Sequence, residues 1–539
     1  MQDNTVAIEP GPAGSRLRFA PRFNVAAAFI DRHLAEGRSA KIAIRTATEE
    51  LSYAALAEGV GRCGNALLGL GIPRGGRLLM AVLDGPAFFY LFWGAIKAGI
   101  VPVPLNTLLR AADYAYMIED SACSGLIYAP ELAGEIEPAL AQAQHRPPVV
   151  LRTVGDRRSL QGLMGEAPAA LDPVPAGPED DCFWLYSSGS TGRPKGAVHA
   201  QRDLAVASQY YGVDTLGARA DDVFFSAAKL FFAYGLGNAM GFPLWVGGTA
   251  VLMADRPTPE STFAAIERFR PTLFFGVPTL YAHQIAALAQ RRPDLSSVRY
   301  CVSAGEALPA HIGKAWKQRF GLDIVNGVGS SEMGHLFLTN LPNAVEYGTS
   351  GVPVDGYKLR LIDENGSDVG DDEIGELLVS GESSAAGYWN QREKSRRTFL
   401  GEWTRTGDKY LRRADGVYTF CGRADDMFKV SGIWVSPFEV EEALMSHPTV
   451  AEAAVVPAED DDGLIKPKAF IVLDQGCDQD AGGALYEELK LHVKRTIGPW
   501  KYPRWIEFVD SLPKTATGKL QRYMLRDQNK NQTAETIDA

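Results

Sequence analysis

The chain has 539 residues, 46% of them hydrophobic and 22% charged, with a net charge of −11. A chain this long outgrows a single compact core, so two or more globular domains are expected. The acidic balance argues against nucleic acid as the main partner, because binding a phosphate backbone needs a clustered basic face.

Residues 1 to about 20 are polar, hold Pro10, Gly11, Pro12 and Gly14, and read as a loose arm. Strands and helices then alternate. Lys41 to Arg45, Arg77 to Leu83 and Gly125 to Tyr128 read as strands, and Tyr53 to Leu70 and Pro86 to Lys97 as helices. The longest apolar run, Ala87 to Ile96, is too short to span a membrane and reads as a buried helix. Residues 152 to 180 look like a surface connection, and Cys182 to Leu185 like a buried strand. Further on, Thr272 to Val277, Tyr300 to Ser303 and Leu322 to Val325 are expected strands. Pro278 opens one helix, and Pro309 opens another whose apolar positions are Ile312, Trp316 and Phe320, with Gly321 as its stop. This alternation predicts an α/β fold, a large N-terminal domain of layered, mostly parallel sheets with helices.

After about residue 345 the pattern becomes antiparallel, a small β subdomain with strands at Tyr357 to Ile362, Gly375 to Ser380 and Tyr410 to Phe420, the last turning at Asp415-Gly416. The end of the chain reads as a small, mobile α+β domain. Ser436, Pro437 and Glu439 predict a capping box on a helix running to His447. Strands near Ala451 to Val456 and Ala469 to Val472, a helix near Tyr486 to Ile497 and a strand at Trp505 to Val509 follow. The expected division is an arm over 1–20, a main domain over 21–424 and a mobile domain over 425–539. The six cysteines are scattered, with no Cys-x-x-Cys pair and no histidine cluster, which predicts reduced thiols and no transition-metal centre. The N-terminal residues carry no signal-peptide pattern.

Chemistry concentrates first in Tyr186 to Gly196, YSSGSTGRPKG. Such a loop can turn its backbone N–H groups inward around a phosphate, with Ser187, Ser188, Ser190, Thr191 and Lys195 as further donors. Gly189 and Gly192 let the backbone approach closely. It is not a Walker A loop, since Pro194 precedes Lys195 and Gly196 follows it. Downstream, NGVGSSE at Asn326 to Glu332 lies at the carboxyl end of a strand, where open α/β sheets bind ligands. Alone, Glu332 would be a solvated loop carboxylate; beside a triphosphate it is a candidate Mg²⁺ ligand. The acid pair Asp425-Asp426 and the lysine in LPKTATGKLQR, Lys519, read by themselves as solvated surface.

Together these motifs resemble the adenylate-forming enzymes: acyl- and aryl-CoA ligases, firefly luciferase and the adenylation domains of peptide synthetases. The resemblance implies that ATP, Mg²⁺ and CoA are used. It implies that Glu332 holds the metal and that Ser331, where Thr is more usual, sits by the nucleotide phosphate. SAGEAL, with Ala304, Gly305 and Glu306, would pass along the adenine, with Asn326, Gly327 and Val328 beside the nucleotide. Asp408 of Thr406-Gly407-Asp408 would take the ribose hydroxyls and Arg423 would contact the nucleotide. Asp425 would be the hinge of the small domain, and Lys519 would neutralise the α-phosphate and carboxylate during adenylation. After rotation, the loop holding Lys429, Ser431, Gly432 and Trp434 would admit the pantetheine arm of CoA.

The string KLFFAYGLGN, Lys229 to Asn238, resembles the benzoate-CoA ligase branch. Ala233 and Tyr234 would form one wall of an aryl-acid pocket, and Gly329, Gly334, His335 and Leu336 the other. A glycine at 334 is expected to leave room for a para substituent and His335 to hydrogen-bond a hydroxyl, which ranks 4-hydroxybenzoate first and benzoate second. The implied enzyme is cytoplasmic, a monomer or homodimer, with small-molecule substrates, no membrane partner, and a lysine acetyltransferase as a regulator acting on Lys519. Two other readings stay open at this level: a non-catalytic binder of nucleotide or aryl acid, and a luciferase-like or carrier-loading adenylate former.

Overall fold

The computed structural model describes residues 1–12, 14–189, 192–288, 292–430, 433–460, 464–474, 482–498, 501–514 and 520–526. The chain divides into two compact units, one of Met1–Leu359 with Leu378–Arg405, the other of Arg360–Leu377 with Thr406–Ala539.

The first unit is built on a nine-stranded sheet with the order Val352–Pro353, Leu336–Thr339, Ile324–Gly329, Tyr300–Ser303, Leu273–Gly276, Val223–Ser226, Thr249–Val251, Ile42–Arg45, Glu50–Ser52. The strands from Ile324–Gly329 to Ile42–Arg45 are mutually parallel, and antiparallel pairs close both edges. Leu273–Gly276 is buried throughout, the continuous apolar run expected of a parallel strand covered on both faces. Phe225, Phe274, Ile266, Tyr281 and Trp316 fill one core between sheet and helices. A second, four-stranded parallel sheet runs Val101–Pro104, Arg77–Ala81, Gly125–Tyr128, Val149–Arg152. The third is antiparallel: Gly387–Tyr388, Gly192–Ala200, Asp181–Gly189.

Several local expectations shift. The arm is not loose: Val6–Glu9 and Arg16–Phe19 form an antiparallel hairpin around the Pro/Gly turn, the second an alternating run with Leu17 buried. Pro309 is the residue before the helix Ala310–Phe320 rather than its first residue, while Gly321 ends that helix at φ +72° as expected. The strand foreseen at Leu322 to Val325 runs later, as Ile324–Gly329, so part of NGVGSSE is strand and not turn.

In the second unit, Trp403–Arg412 pairs with Tyr418–Arg423, Asp408 opposite Arg423. Thr406, Gly407 and Asp408 therefore lie within a strand, where Gly407 takes φ +74°. Val450–Glu459, Ile465–Leu473 and Trp505–Phe508 form a three-stranded sheet. The helices Pro437–Met445 and Gly482–Ile497 cover it through Val440, Leu444, Leu489 and Val493. The Ser436 hydroxyl accepts from Glu439 N at 3.1 Å, but the Glu439 carboxylate takes Lys501 at 2.6 Å, so only half of the expected capping box forms.

Candidate active site

The phosphate-loop hairpin pairs Ser187 with Lys195 and Tyr186 with Gly196. Its tip, Ser190 and Thr191, and the side chains of Ser188, Gly189 and Gly192 lie outside the described residues. Two of its polar side chains converge on Glu332. Ser187 Oγ donates to Glu332 Oε1 at 3.3 Å, and Lys195 Nζ stands 3.4 Å from the same oxygen. A third group joins them that the sequence reading missed. Tyr388 Oη donates to Glu332 Oε1 at 2.7 Å and accepts from Lys195 Nζ at 2.6 Å. Burial would raise the Glu332 carboxyl, but the Lys195 charge and the Tyr388 hydroxyl outweigh it and hold it below its ordinary value. Nothing local ties residue 388 to residue 332. The pairing of Ala197 with Tyr388 and the bond from Ala385 N to Glu332 O bring it there.

The turn carrying Glu332 is fixed carbonyl by carbonyl. Ser330 O accepts from Met333 N, Glu332 O from Ala385 N at 2.8 Å, and Met333 O from Ser383 Oγ at 2.8 Å. Ser331 O accepts from His199 Nε2 at 2.7 Å. Gly334 has φ +70°, and a side chain there would start 3.4 Å from His199 Cε1 and 3.8 Å from Ser383 O. A side chain at 334 would thus start toward His199, and the positive φ by itself calls for glycine. The phosphate hairpin has its own support. Tyr186 Oη donates to Asp120 Oδ2 at 2.7 Å, Tyr116 Oη to Pro194 O at 2.9 Å, and Trp389 Nε1 to Asp120 O at 2.9 Å.

Ser303 and Asn326 sit side by side at the carboxyl ends of parallel strands. Ser303 Oγ and Asn326 Oδ1 are buried without a hydrogen-bond partner among the described residues. Ala304, Gly305 at φ +89° and Glu306 leave the same edge, and Gly327, Val328 and Gly329 continue the Asn326 strand. Gly329 lies against His335 O, which a Cβ would meet at 2.3 Å. Ala233 and Tyr234 open a short helix, Tyr234 Oη donating to Val302 O at 3.2 Å, and Leu336 is buried. The His335 ring is enclosed by Tyr211, Tyr234 and Phe242 at 5.3, 5.8 and 4.6 Å. Its Nε2 meets Asn238 Oδ1 at 3.1 Å, its Nδ1 has no partner among the described residues, and burial pushes its pKa down to about 3.

In the second unit Arg423 Nη1 donates to Asp408 Oδ1 at 2.7 Å. The acid pair beside the expected hinge is not simply solvated. Asp426 stands 3.4 Å from Arg522 Nη1 and 3.3 Å from Arg526 Nη1, and Arg526 Nη1 donates to Asp425 O at 3.0 Å. Arg522 also forks onto Glu441 at 2.6 and 3.1 Å. Ser431, Gly432 and Lys519, and the side chains of Lys429 and Trp434, lie outside the described residues.

A profile of the AMP-binding enzyme family matches residues 31–389, and one of the AMP-binding enzyme C-terminal domain matches residues 439–519. The chain belongs to the AMP-binding enzyme family. It is 57% identical over 510 residues, 94% of either chain, to a 4-hydroxybenzoate–CoA/benzoate–CoA ligase of Rhodopseudomonas palustris. It is 51% identical to a benzoate–CoA ligase of Thauera aromatica, over 95% of this chain and 97% of that one. A crystal structure of an anthranilate CoA ligase in complex with anthranoyl-AMP superposes with a TM-score of 0.90 at 40% identity, covering 96% of this chain and 99% of that one. A benzoate CoA ligase from Burkholderia xenovorans LB400 gives 0.85 at 45% identity, over 94% of this chain and all of its own (100%).

As in other AMP-binding enzymes, the α/β fold expected from the alternation of elements is present. For the metal that an AMP-binding enzyme uses, the residues fit. Glu332 offers an ionised carboxylate beside the phosphate hairpin. Among the described residues no group of three or more His, Cys, Asp or Glu is placed to hold an ion alone, so Mg²⁺ at Glu332 would take its other ligands from phosphate and water. Among the described residues no helix is long and apolar enough to cross a membrane.

Proposed function

We infer that this protein is an AMP-forming aryl-CoA ligase that converts 4-hydroxybenzoate or benzoate to its CoA thioester through an aroyl-adenylate. The observation that carries the reading is the convergence of Glu332, Lys195, Ser187 and Tyr388 at one point of the phosphate hairpin. In a chain so similar to ligases named for these acids, that arrangement supports adenylation. In the first half-reaction a carboxylate oxygen of the acid attacks the α-phosphorus of ATP, and pyrophosphate leaves. Lys195 and the backbone of the hairpin hold the leaving phosphates, and Mg²⁺, held by Glu332, would offset their charge. Asp408 holds the ribose with Arg423 keeping its carboxylate in place, and Lys519 neutralises the carboxylate and α-phosphate. In the second half-reaction the CoA sulfur attacks the acyl carbon and AMP leaves, after the small domain has turned at Asp425 and brought Gly432 and its neighbours to the pantetheine arm. Tyr234, His335, Ala233 and Leu336 line the aryl pocket, a slot of rings and small residues suited to a flat acid. Such an enzyme works in the cytoplasm, as monomer or homodimer, and acetylation of Lys519 would switch off its first half-reaction by removing the charge.

The test is AMP and pyrophosphate release with a panel of benzoates, with and without CoA. Release that needs both CoA and a benzoate, with 4-hydroxybenzoate or benzoate fastest, is expected. Turnover without CoA, or on carrier protein only, would replace the ligase with another adenylate former, and nucleotide binding without turnover would leave a binder.

A further inference from the structure

The strand Gly192–Ala200 carries two side chains toward the turn of Glu332, and only one of them, Lys195, has a place in the reaction so far. The other is His199. Its side chain is fully buried, 0% exposed, as is that of Asp203 at 2%. Its Nε2 lies 2.7 Å from Ser331 O. A carbonyl oxygen can only accept, so Nε2 carries the hydrogen and donates. Its Nδ1 lies 2.9 Å from Asp203 Oδ2, which also accepts from Ala200 N at 3.0 Å. Phe183 stacks on the ring at 4.9 Å and 12°, so both the plane and the rotation of the imidazole are set.

Ser331 O belongs to the peptide that leads into Glu332. Its other partner is Gly334 N, at a long 3.4 Å. The imidazole is thus the strong bond that sets this peptide, and it runs from the strand that also bears Lys195. An apolar side chain could fill the same space against Phe183 but would leave that carbonyl with the long bond alone. We propose that His199, oriented by Asp203, is a positioning residue that fixes the Ser331–Glu332 peptide relative to Lys195 and so presents the Glu332 carboxylate to metal-bound ATP. The proposal rests on the ligase reading above for the reaction it serves, though not for the binding it predicts.

Two near-isosteric variants separate this role from core packing. In His199→Gln the amide nitrogen can stand where Nε2 stands and keep the bond to Ser331 O. In His199→Asn it stands nearer Nδ1, keeps Asp203 and loses Ser331 O. Binding of Mn²⁺ with a non-hydrolysable ATP analogue, followed by electron paramagnetic resonance, reads the site without turnover. His199→Asn should weaken it about tenfold, the usual range for losing a group that orients a metal ligand, and His199→Gln should bind close to wild type. The Mg²⁺ concentration for half-maximal aroyl-AMP formation should move in parallel, while thioester formation from ready-made aroyl-AMP and CoA should not. If His199→Asn does not fold, the pair His199→Phe with Asp203→Asn, which keeps a ring on Phe183 and an acceptor for Ala200 N, takes its place with the same expected loss. Equal binding by the Gln variant and the loss variant, or an unchanged metal dependence, would overturn the proposal. A wild-type chain that binds Mn²⁺-nucleotide but makes no aroyl-AMP would sink the ligase reading alone and leave the binding comparison standing.

Discussion

Tyr388 holds its hydroxyl between Lys195 and Glu332, and its ring packs on Phe399 at 5.2 Å. Tyr388→Phe keeps the ring and removes the bridge. A hydrogen bond to charged groups contributes roughly 1.5–3 kcal/mol, so aroyl-AMP formation should fall about ten- to a hundredfold with little change in melting temperature. Stopped-flow pyrophosphate release checks it, and an unchanged rate would remove Tyr388 from the site. At Gly334 the expected effect is on stability, not on choice of acid. Gly334→Ala forces a side chain into φ +70°, at a cost of about 1–2 kcal/mol. The ratio of 4-hydroxybenzoate to benzoate turnover should stay as it is; a change in that ratio would place Gly334 in the pocket wall. Buried histidines set the acid limit. His33 and His335 both have pKa values pushed from 6.5 to about 3, burial being the main cause. In the unfolded chain they protonate near 6.5, so the stability they allow is complete above that pH and is lost as pH falls toward 3. Each should remove about 1.4 kcal/mol per pH unit in that window. Melting temperatures from about pH 8 to about pH 5 should therefore be level first and then fall, and a level profile throughout would contradict it.

Among the elements, the segment Leu520–Arg526 is held both by apolar packing, with Leu525 buried and Leu520 against the same cluster, and by an ion pair. Arg522 forks onto Glu441, whose side chain is 4% exposed and also accepts from Val455 N at 2.7 Å, and it reaches Asp426 as well. Removing Arg522 strands a buried carboxylate, which costs about 3–5 kcal/mol where such pairs have been broken. Arg522→Ala should therefore loosen the second unit, with protease cuts appearing in residues 406–526 before any in residues 1–359, and equal resistance of the variant would show that the brace is dispensable. The paired change Arg522→Met with Glu441→Leu should recover much of the loss, since no charge is then left without a partner.

For the molecule as a whole, the proposed mechanism has two different loops of the chain act in turn. Lys519→Ala should nearly abolish aroyl-AMP formation from ATP and acid, yet make thioester from supplied aroyl-AMP and CoA near the normal rate. Asp425→Pro, which holds φ near about −65° at the residue expected to turn, should impair the second half-reaction more than the first. Parallel loss of both half-reactions in Lys519→Ala would end the division of labour between conformations.

The α/β class, a minority of the first unit's strands and helices (such as Tyr53–Gly69, Pro86–Lys97, Leu273–Gly276 and Tyr300–Ser303), and the motifs that hold Lys195 and Glu332 were legible in the sequence alone, because apolar periodicity, proline and glycine at helix ends, and short Gly/Ser-rich motifs are local properties. Ser187, Lys195 and Glu332 could be named from their motifs, but that they meet at one oxygen is a fact of sheet pairing between residues far apart in the chain. Tyr388, His199 with Asp203, and Asp120 beneath Tyr186 carried no local mark, since a tyrosine, histidine or aspartate reads the same in a surface loop as in a buried network. The direction of Gly334 was likewise invisible, because it depends on a left-handed backbone angle and on which side chain lies opposite. These were decided only by tertiary structure, where burial forces each polar group to find a partner and the fold determines which partner is in reach.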